Sequence, residues 1–255
     1  MVFSVNANSD RSFIMHRFYI NQRIEGNTLS ITDTGQLHHI RDVLRLKAGD
    51  EVTVFDSAGN ECACSITNLD RKQMVLTVKS RRHAEVREAR LTVACAIPKK
   101  GGMDEIIDNL TQLGVDDIIP LKTERVIVRL DEGKRKARLE RWQRIAQSAA
   151  QQSQRSSIPL VEPITSMESV LARSPEFDLK LIPTLSGERR HVREALAEFK
   201  HGSILVLIGP EGDFTSQEVE RAKSAGFIPV SLGDNILRVG TAAVAVVSYI
   251  RFSLE

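Results

Sequence analysis

Residues 204–247 constrain this chain more than any other stretch, because two strand–loop–helix units follow each other there with almost no spacer. The first opens on Ile204-Leu205-Val206-Leu207-Ile208, a short apolar run stopped by Gly209-Pro210, which predicts a buried strand. A loop follows from Gly209 to Phe214. Thr215 with Glu218 three residues later is a capping box, so a helix starts there. The second unit repeats the plan, with Phe227 to Leu232 as the strand and Gly233 to Gly240 as the loop. Thr241 then caps a helix beginning Ala242-Ala243-Val244-Ala245-Val246-Val247. A helix apolar on nearly every face must be covered, either inside a domain or at a subunit interface. Glycine-bearing loops at strand ends, each feeding a capped helix, suit the ligand-binding edge of an α/β sheet. Glycine admits a ligand to the backbone, and the free N–H groups of a helix start can donate to it. On spacing alone, two ordinary βα turns serve equally well.

The remainder divides in two. Residues 1–14, rich in Ser and Asn, read as a flexible lead. From there to residue 80 the pattern is short strands with one helix. His16 to Ile20, Val52 to Phe55, 61–67 and 73–79 are the strands, and 36–46 is the helix, on the spacing of Leu37, Ile40, Val43 and Leu44. Turn residues between closely spaced strands suggest a small, strongly bent β-barrel. Residues 81–90 are charged, lack apolar periodicity and read as a connector. From 91 to 255, β and α segments alternate. The strands are 91–97, 115–121 and 178–183, and the helices are 103–113, 134–152, 166–173 and 188–199, which implies a mostly parallel sheet covered on both faces. Alternation alone predicts an unknotted, doubly wound topology.

Formal charge is only +2, so distribution matters more than the sum. Basic residues crowd 71–90 and 134–144, and each run fits either a solvated face or phosphate contact. The three cysteines, Cys62, Cys64 and Cys95, form no disulfide framework and lack neighbouring ligands, so no metal is expected. The N-terminus has neither the basic start nor the apolar core of a secretory signal, and no apolar run approaches bilayer length. A cytoplasmic location is expected. Neither a G-x-x-x-x-G-K-[ST] phosphate loop nor a G-x-G-x-x-G fingerprint occurs.

The words in the loops are more specific than their spacing. LIGPEGDFTSQEV followed by LGDNILRVGTAA resembles the two cofactor loops of the SPOUT methyltransferases, whose pattern is GPEGG and then LG-x-R-ILR-x-ETA. The nearest branch methylates N3 of a uridine in small-subunit (16S) ribosomal RNA. The resemblance extends to MHRFYI at 15–20, HHIRDVLRLKAGDEV at 38–52, LTQLGVDDIIPLKTERV at 110–126 and AQSAAQQSQRSSIP at 146–159. It implies an N-terminal PUA-like RNA-binding barrel, a C-terminal α/β trefoil-knot domain and a homodimer formed through the knot. It also implies S-adenosyl-L-methionine as cofactor, held by Pro183, Thr184 and Leu185, by Ile208, Gly209, Pro210, Glu211 and Gly212, and by Leu232, Gly233, Ile236, Leu237, Arg238, Thr241 and Ala242. Arg17, His39, Arg45, Arg125 and Arg155 are expected to face RNA. Arg238 is the candidate to stabilise the developing anion. Glu211 is a candidate proton acceptor, or else it only fixes its loop.

The chain departs from the pattern at polar places. Asn235 stands for arginine, Gly240 for glutamate, and Gln112 and Gln151 for glutamates, while Gly102 and Asn109 fall where lysines are common. These changes keep two alternatives open: a different rRNA or tRNA base as target, and a non-catalytic RNA-binding or assembly factor.

Overall fold

The structure is a computed structural model that describes residues 16–56, 59–83, 89–99, 101–125, 132–185 and 187–254. Two compact units emerge, dividing between Ala84 and Glu85. Among the described residues no helix is long and apolar enough to cross a membrane.

The first unit is a five-stranded sheet of β1 (His16–Tyr19), β2 (Thr28–Ile31), β3 (Glu51–Phe55), β4 (Asn60–Leu69) and β5 (Met74–His83), in the order β1-β3-β4-β5-β2. Strand β1 runs parallel to β3, and the other pairs are antiparallel. Register shifts at Ala63/Cys64 and Ile66/Asn68 bend the long β4–β5 ribbon, as bulges do. Cys62 and Cys64, two residues apart, both enter the apolar core with Val52, Val54, Ile66 and Leu76. Burial pushes the Cys64 thiol up to about 12, so it behaves as a small apolar side chain. The helix expected over 36–46 is shorter. An α-helix α1 (Thr34–His38), capped by Asp33, runs into a π-helical turn over His39–Val43, closed by Leu44 N–H on the His39 carbonyl at 2.9 Å. The expected connector at 81–90 also shrinks. Arg81 to His83 continue β5, Ala89 and Arg90 begin the next strand, and 84–88 lie outside the described residues.

The second unit is an eight-stranded sheet in which every pairing is parallel. Its strands are β6 (Ala89–Ala96), β7 (Asp117–Lys122), β8 (Leu160–Val161), β9 (Thr165–Ser166), β10 (Leu179–Pro183), β11 (Arg190–His191), β12 (Gly202–Ile208) and β13 (Ile228–Ser231). The order is β11-β13-β10-β12-β6-β7-β8, with β9 also on β7. Alternation along β12 separates two cores: Ile204, Val206 and Ile208 pack into one, Leu205 and Leu207 into the other. The first core is covered by α2 (Met103–Gln112), α3 (Glu132–Gln152), α5 (Val192–Leu196) and α7 (Val239–Leu254), and the second by α4 (Met167–Ala172) and α6 (Ser216–Ser224). Cys95 is buried in the first core, which raises its thiol to about 12.

Two expectations shift, and three short strands go unread. The helix predicted over 188–199 is a two-residue strand followed by a five-residue helix. Strands β2, β8 and β9 are too short to carry a periodic signal. Helix α7 starts at Val239, so Thr241 lies exposed in the first turn and is not its cap. Val239 is buried, and packing draws the helix back to it. Gly240 faces α2: a Cβ there would come within 3.3 Å of Ile106 Cγ1, so glycine at the motif's glutamate position lets the two helices close up.

Candidate cofactor cleft and RNA-facing residues

Strands β13, β10 and β12 are neighbours in the sheet, and their carboxyl ends open into three adjacent loops. Between these loops lies a cleft open to solvent. The structure brings Pro183, Thr184, Leu185, Ile208, Gly209, Pro210, Glu211, Leu232, Gly233, Ile236, Leu237 and Ala242 together along its walls. Gly212, Arg238 and Thr241 are not among the lining residues, whereas Arg189, Asp213, Val230, Asn235 and Val239 are. Sequence reasoning missed those five. Val230 falls in the predicted strand, Val239 in the predicted loop without being singled out, and Arg189 in a segment whose pattern predicts helix. Asp213 and Asn235 carried a visible signal, since each is a polar residue inside a quoted loop motif.

Local bonds set the loop shapes. Glu218 and Thr215 form the expected reciprocal cap at the start of α6. Pro210 accepts from the Asp213 N–H at 2.9 Å, which makes a tight turn of 210–213. Glu211 is exposed, and its Oε1 accepts from the Lys99 N–H at 3.0 Å. That bond ties the turn to the segment after β6. Arg125 donates to the Gly212 and Asp213 carbonyls and so also braces this loop. Gly209 lines the cleft, but a Cβ on it would lie 3.0 Å from the Phe214 ring. A larger residue there would act by displacing buried Phe214. Gly233 is different: its φ is +113° and a Cβ would meet nothing within 4 Å, so glycine is required by the backbone and not by crowding.

Two of the arginines expected at RNA are structural, which corrects that expectation. Arg17 is 9% exposed, pairs bidentately with Glu61 at 2.9 Å and lies over the Phe55 ring at 5.2 Å. Arg155 is 7% exposed and donates to the Thr111 and Val115 carbonyls, each at 2.8 Å. Buried guanidinium groups held this way cannot reach phosphate. His39 and Arg45 are exposed on and beside the π-helical turn, with Arg45 at φ +56°. Arg41 beside them is committed to Asp42, whose carboxyl it holds down to about 2. Arg17→Ala is therefore expected to destabilise the first unit by about 2 kcal/mol, because it strips a buried partner from Glu61 and leaves it with the exposed Arg82. Arg45→Ala should weaken RNA binding and leave the melting curve unchanged. Denaturation of both variants beside an RNA titration distinguishes the two roles.

The family model described as an RNA methyltransferase domain matches residues 85–251, and that of the RNA methyltransferase PUA domain matches 31–79. The chain is 31% identical over 251 residues to ribosomal RNA small subunit methyltransferase E of Bacillus subtilis, covering 94% of this chain and 98% of that protein. It is 35% identical over 258 residues to the Synechocystis protein of the same name, covering 98% and 82%. The crystal structure of the Neisseria gonorrhoeae protein of that name, bound to S-adenosyl methionine, superposes with a TM-score of 0.82 at 30% identity, covering 94% and 98%. Taken with the loop motifs and the cleft they enclose, these likenesses place the chain in the ribosomal RNA small subunit methyltransferase E family of RNA methyltransferases.

Proposed function

We propose that the protein transfers a methyl group from S-adenosylmethionine to N3 of a uridine in 16S ribosomal RNA. The observation that carries this reading is the cleft at the ends of three adjacent parallel strands, built from both loop motifs. Its residues fit the cofactor. Leu185, Ile208, Ile236 and Leu237 offer apolar walls for a flat ring, and the glycine loops offer backbone groups. The cofactor supplies the methyl electrophile.

What remains belongs to the protein: a bare uridine edge, correct alignment and stabilisation of the negative charge left on the uracil oxygens when the imide proton departs. Arg238 is exposed immediately before α7, and it makes no ion pair among the described residues. Its charge adds to the positive end of the α7 dipole, so both favour an anion there. Because N3 is hidden by base pairing, the substrate nucleotide must be unpaired or flipped out. Labelled cofactor and small ribosomal subunits lacking the modification test the activity. Label at N3 of one uridine is expected, and no label in RNA despite cofactor uptake would sink it. Mapping the labelled nucleotide also tells whether another base is the target.

Helix α3 offers a second surface for RNA. Its residues 132–138 are exposed on every side, and Arg135, Lys136 and Arg138 lie in this stretch. Changing these three to glutamine should weaken RNA binding. Every cation that no longer meets a phosphate lowers the slope of log affinity against log salt by about 1. Cofactor affinity should stay constant in the same variant.

We also read the three loops with α7 as the trefoil knot of the SPOUT fold, in a cytoplasmic enzyme. The N-terminal sheet is read as a PUA-like barrel, which Gln22, in the loop after β1, supports by donating to the Ser30 carbonyl of β2 at 3.1 Å. Thr241, Ala245 and Phe252 are exposed along one face of α7, Phe252 at 72%, and a second copy of the chain is the partner that would cover them. A crystal structure with cofactor tests knot, barrel and dimer together, and a monomer with an open loop path would overturn the reading.

A further inference from the structure

Asp213 has φ +60°, in the left-handed region that non-glycine residues seldom occupy. The GPEGG motif has its last glycine at this place, whereas the chain reads Gly209-Pro210-Glu211-Gly212-Asp213. Aspartate tolerates the conformation better than most residues, and here its side chain does something glycine cannot. Oδ2 accepts from the Thr184 hydroxyl at 2.9 Å and from the Leu185 N–H at 2.8 Å, while Oδ1 accepts from the Phe214 N–H at 2.9 Å. One carboxylate thus joins the loop after β10 to the loop after β12. Both ends of the link are anchored, because Thr184 and Phe214 are nearly fully buried. Arg189 holds the Thr184 carbonyl at 3.0 Å, and Arg125 holds the Asp213 carbonyl at 3.2 Å.

We propose that Asp213 is a positioning residue, a latch that fixes the 183–185 loop against the 209–214 loop and thereby sets the affinity of the cleft for its cofactor. The proposal rests on reading the cleft as the S-adenosylmethionine site. The physical reason is preorganisation. Hydrogen bonds to an ionised carboxylate are stronger than neutral ones, and two of these three fall on a loop that lines the cleft. With glycine at 213 the Thr184 hydroxyl and the Leu185 N–H lose the carboxylate that joins them to the neighbouring loop, and the ligand must order the loop as it binds.

Asp213→Gly keeps the backbone conformation available and removes only the latch, so the variant is expected to fold. Its Leu185 amide, measured without cofactor, should exchange with solvent faster than in wild type. By calorimetry the dissociation constant for S-adenosylmethionine should rise about tenfold, the scale of a missing charge-assisted hydrogen bond. The loss should fall on KM for the cofactor more than on kcat, a split that general damage to the fold does not give. Asp213→Asn, which keeps one acceptor oxygen and loses the charge, should weaken binding less than Asp213→Gly. Unchanged Leu185 exchange, or an unchanged dissociation constant, in Asp213→Gly would overturn the latch. Wild-type protein that takes up no S-adenosylmethionine would instead overturn the reading of the cleft, and with it the affinity claim.

Discussion

Replacing Arg238 by alanine is expected to lower the rate of methyl transfer by about 10²–10³-fold, the cost of removing one preorganised group that stabilises a developing anion. Three observations motivate this. The side chain is exposed next to the cleft loops, it has no ion-pair partner among the described residues, and its own carbonyl accepts from the Ala242 N–H at 2.8 Å, which fixes the backbone beneath it. Because Arg238 is not among the residues lining the cleft, S-adenosylmethionine affinity should change little. Arg238→Lys should recover only part of the rate, since lysine keeps the charge and loses the planar fork. Single-turnover kinetics at saturating cofactor read the chemical step directly. A rate within a few-fold of wild type for Arg238→Ala would remove this residue from the mechanism and return attention to Asn235, the polar side chain that stands in the cleft where the motif has arginine.

The largest expected effect on stability belongs to Arg251. It is buried in α7 and donates to the Ala89 carbonyl at 2.9 Å, to the Gly114 carbonyl and to Asp116 at 2.8 Å. Asp116 also accepts from the Leu91 N–H at 2.8 Å, and Arg155 approaches it at 3.8 Å. The start of β6, the turn before β7, the segment after α3 and the last helix therefore meet at one cluster of charge. Arg251→Ala takes a buried guanidinium and its three hydrogen bonds away from two carbonyls and from Asp116, whose carboxylate is a quarter exposed, which should cost about 3–5 kcal/mol. For a unit of this size each kcal/mol moves the melting temperature by about 2–4 °C. Arg155→Ala should be destabilising for the same reason, and its loss should not add fully to that of Arg251 because they share Asp116. Chemical denaturation measures both single variants and the double. An Arg251→Ala protein as stable as wild type would mean the cluster is incidental.

Buried arginines also show where sequence reading stops. Arg155 and Arg17 stand nearly alone as charges in stretches that read like ordinary surface, and nothing nearby reveals their partners. Glu61 lies 44 residues from Arg17, and the Thr111 carbonyl lies 44 from Arg155. An arginine destined for phosphate and one destined for a buried acceptor look alike until the chain is folded. The βα loops were legible for the opposite reason. Strand, glycine turn and capping pair are local, and the capping box at Thr215 and Glu218 is present as read. Thr241 shows the limit of the local view: burial of Val239 outweighs an exposed threonine as the place where a helix begins. Asp213 lies between the cases. An aspartate among motif glycines was plain in the sequence, but the donors it serves on Thr184 and Leu185 needed the sheet order to bring the loops together.

That sheet order has a consequence for how the protein is born. Strand β12 lies between β10 and β6, although β6 ends at Ala96, β10 at Pro183 and β12 only at Ile208. A growing chain that has released β10 thus carries two sheet edges with no strand to join them, and only the emergence of Gly202–Ile208 makes the sheet continuous. The cleft closes later still, because its walls run on to Ala242. The first unit is finished by His83. At synthesis speeds of about 5–20 residues per second, roughly ten seconds or more separate a nascent chain able to grip RNA from one able to hold a cofactor. During that interval the unpaired edges of β6 and β10 are the part of the molecule most exposed to wrong pairing, and they are what a ribosome-associated chaperone would meet first.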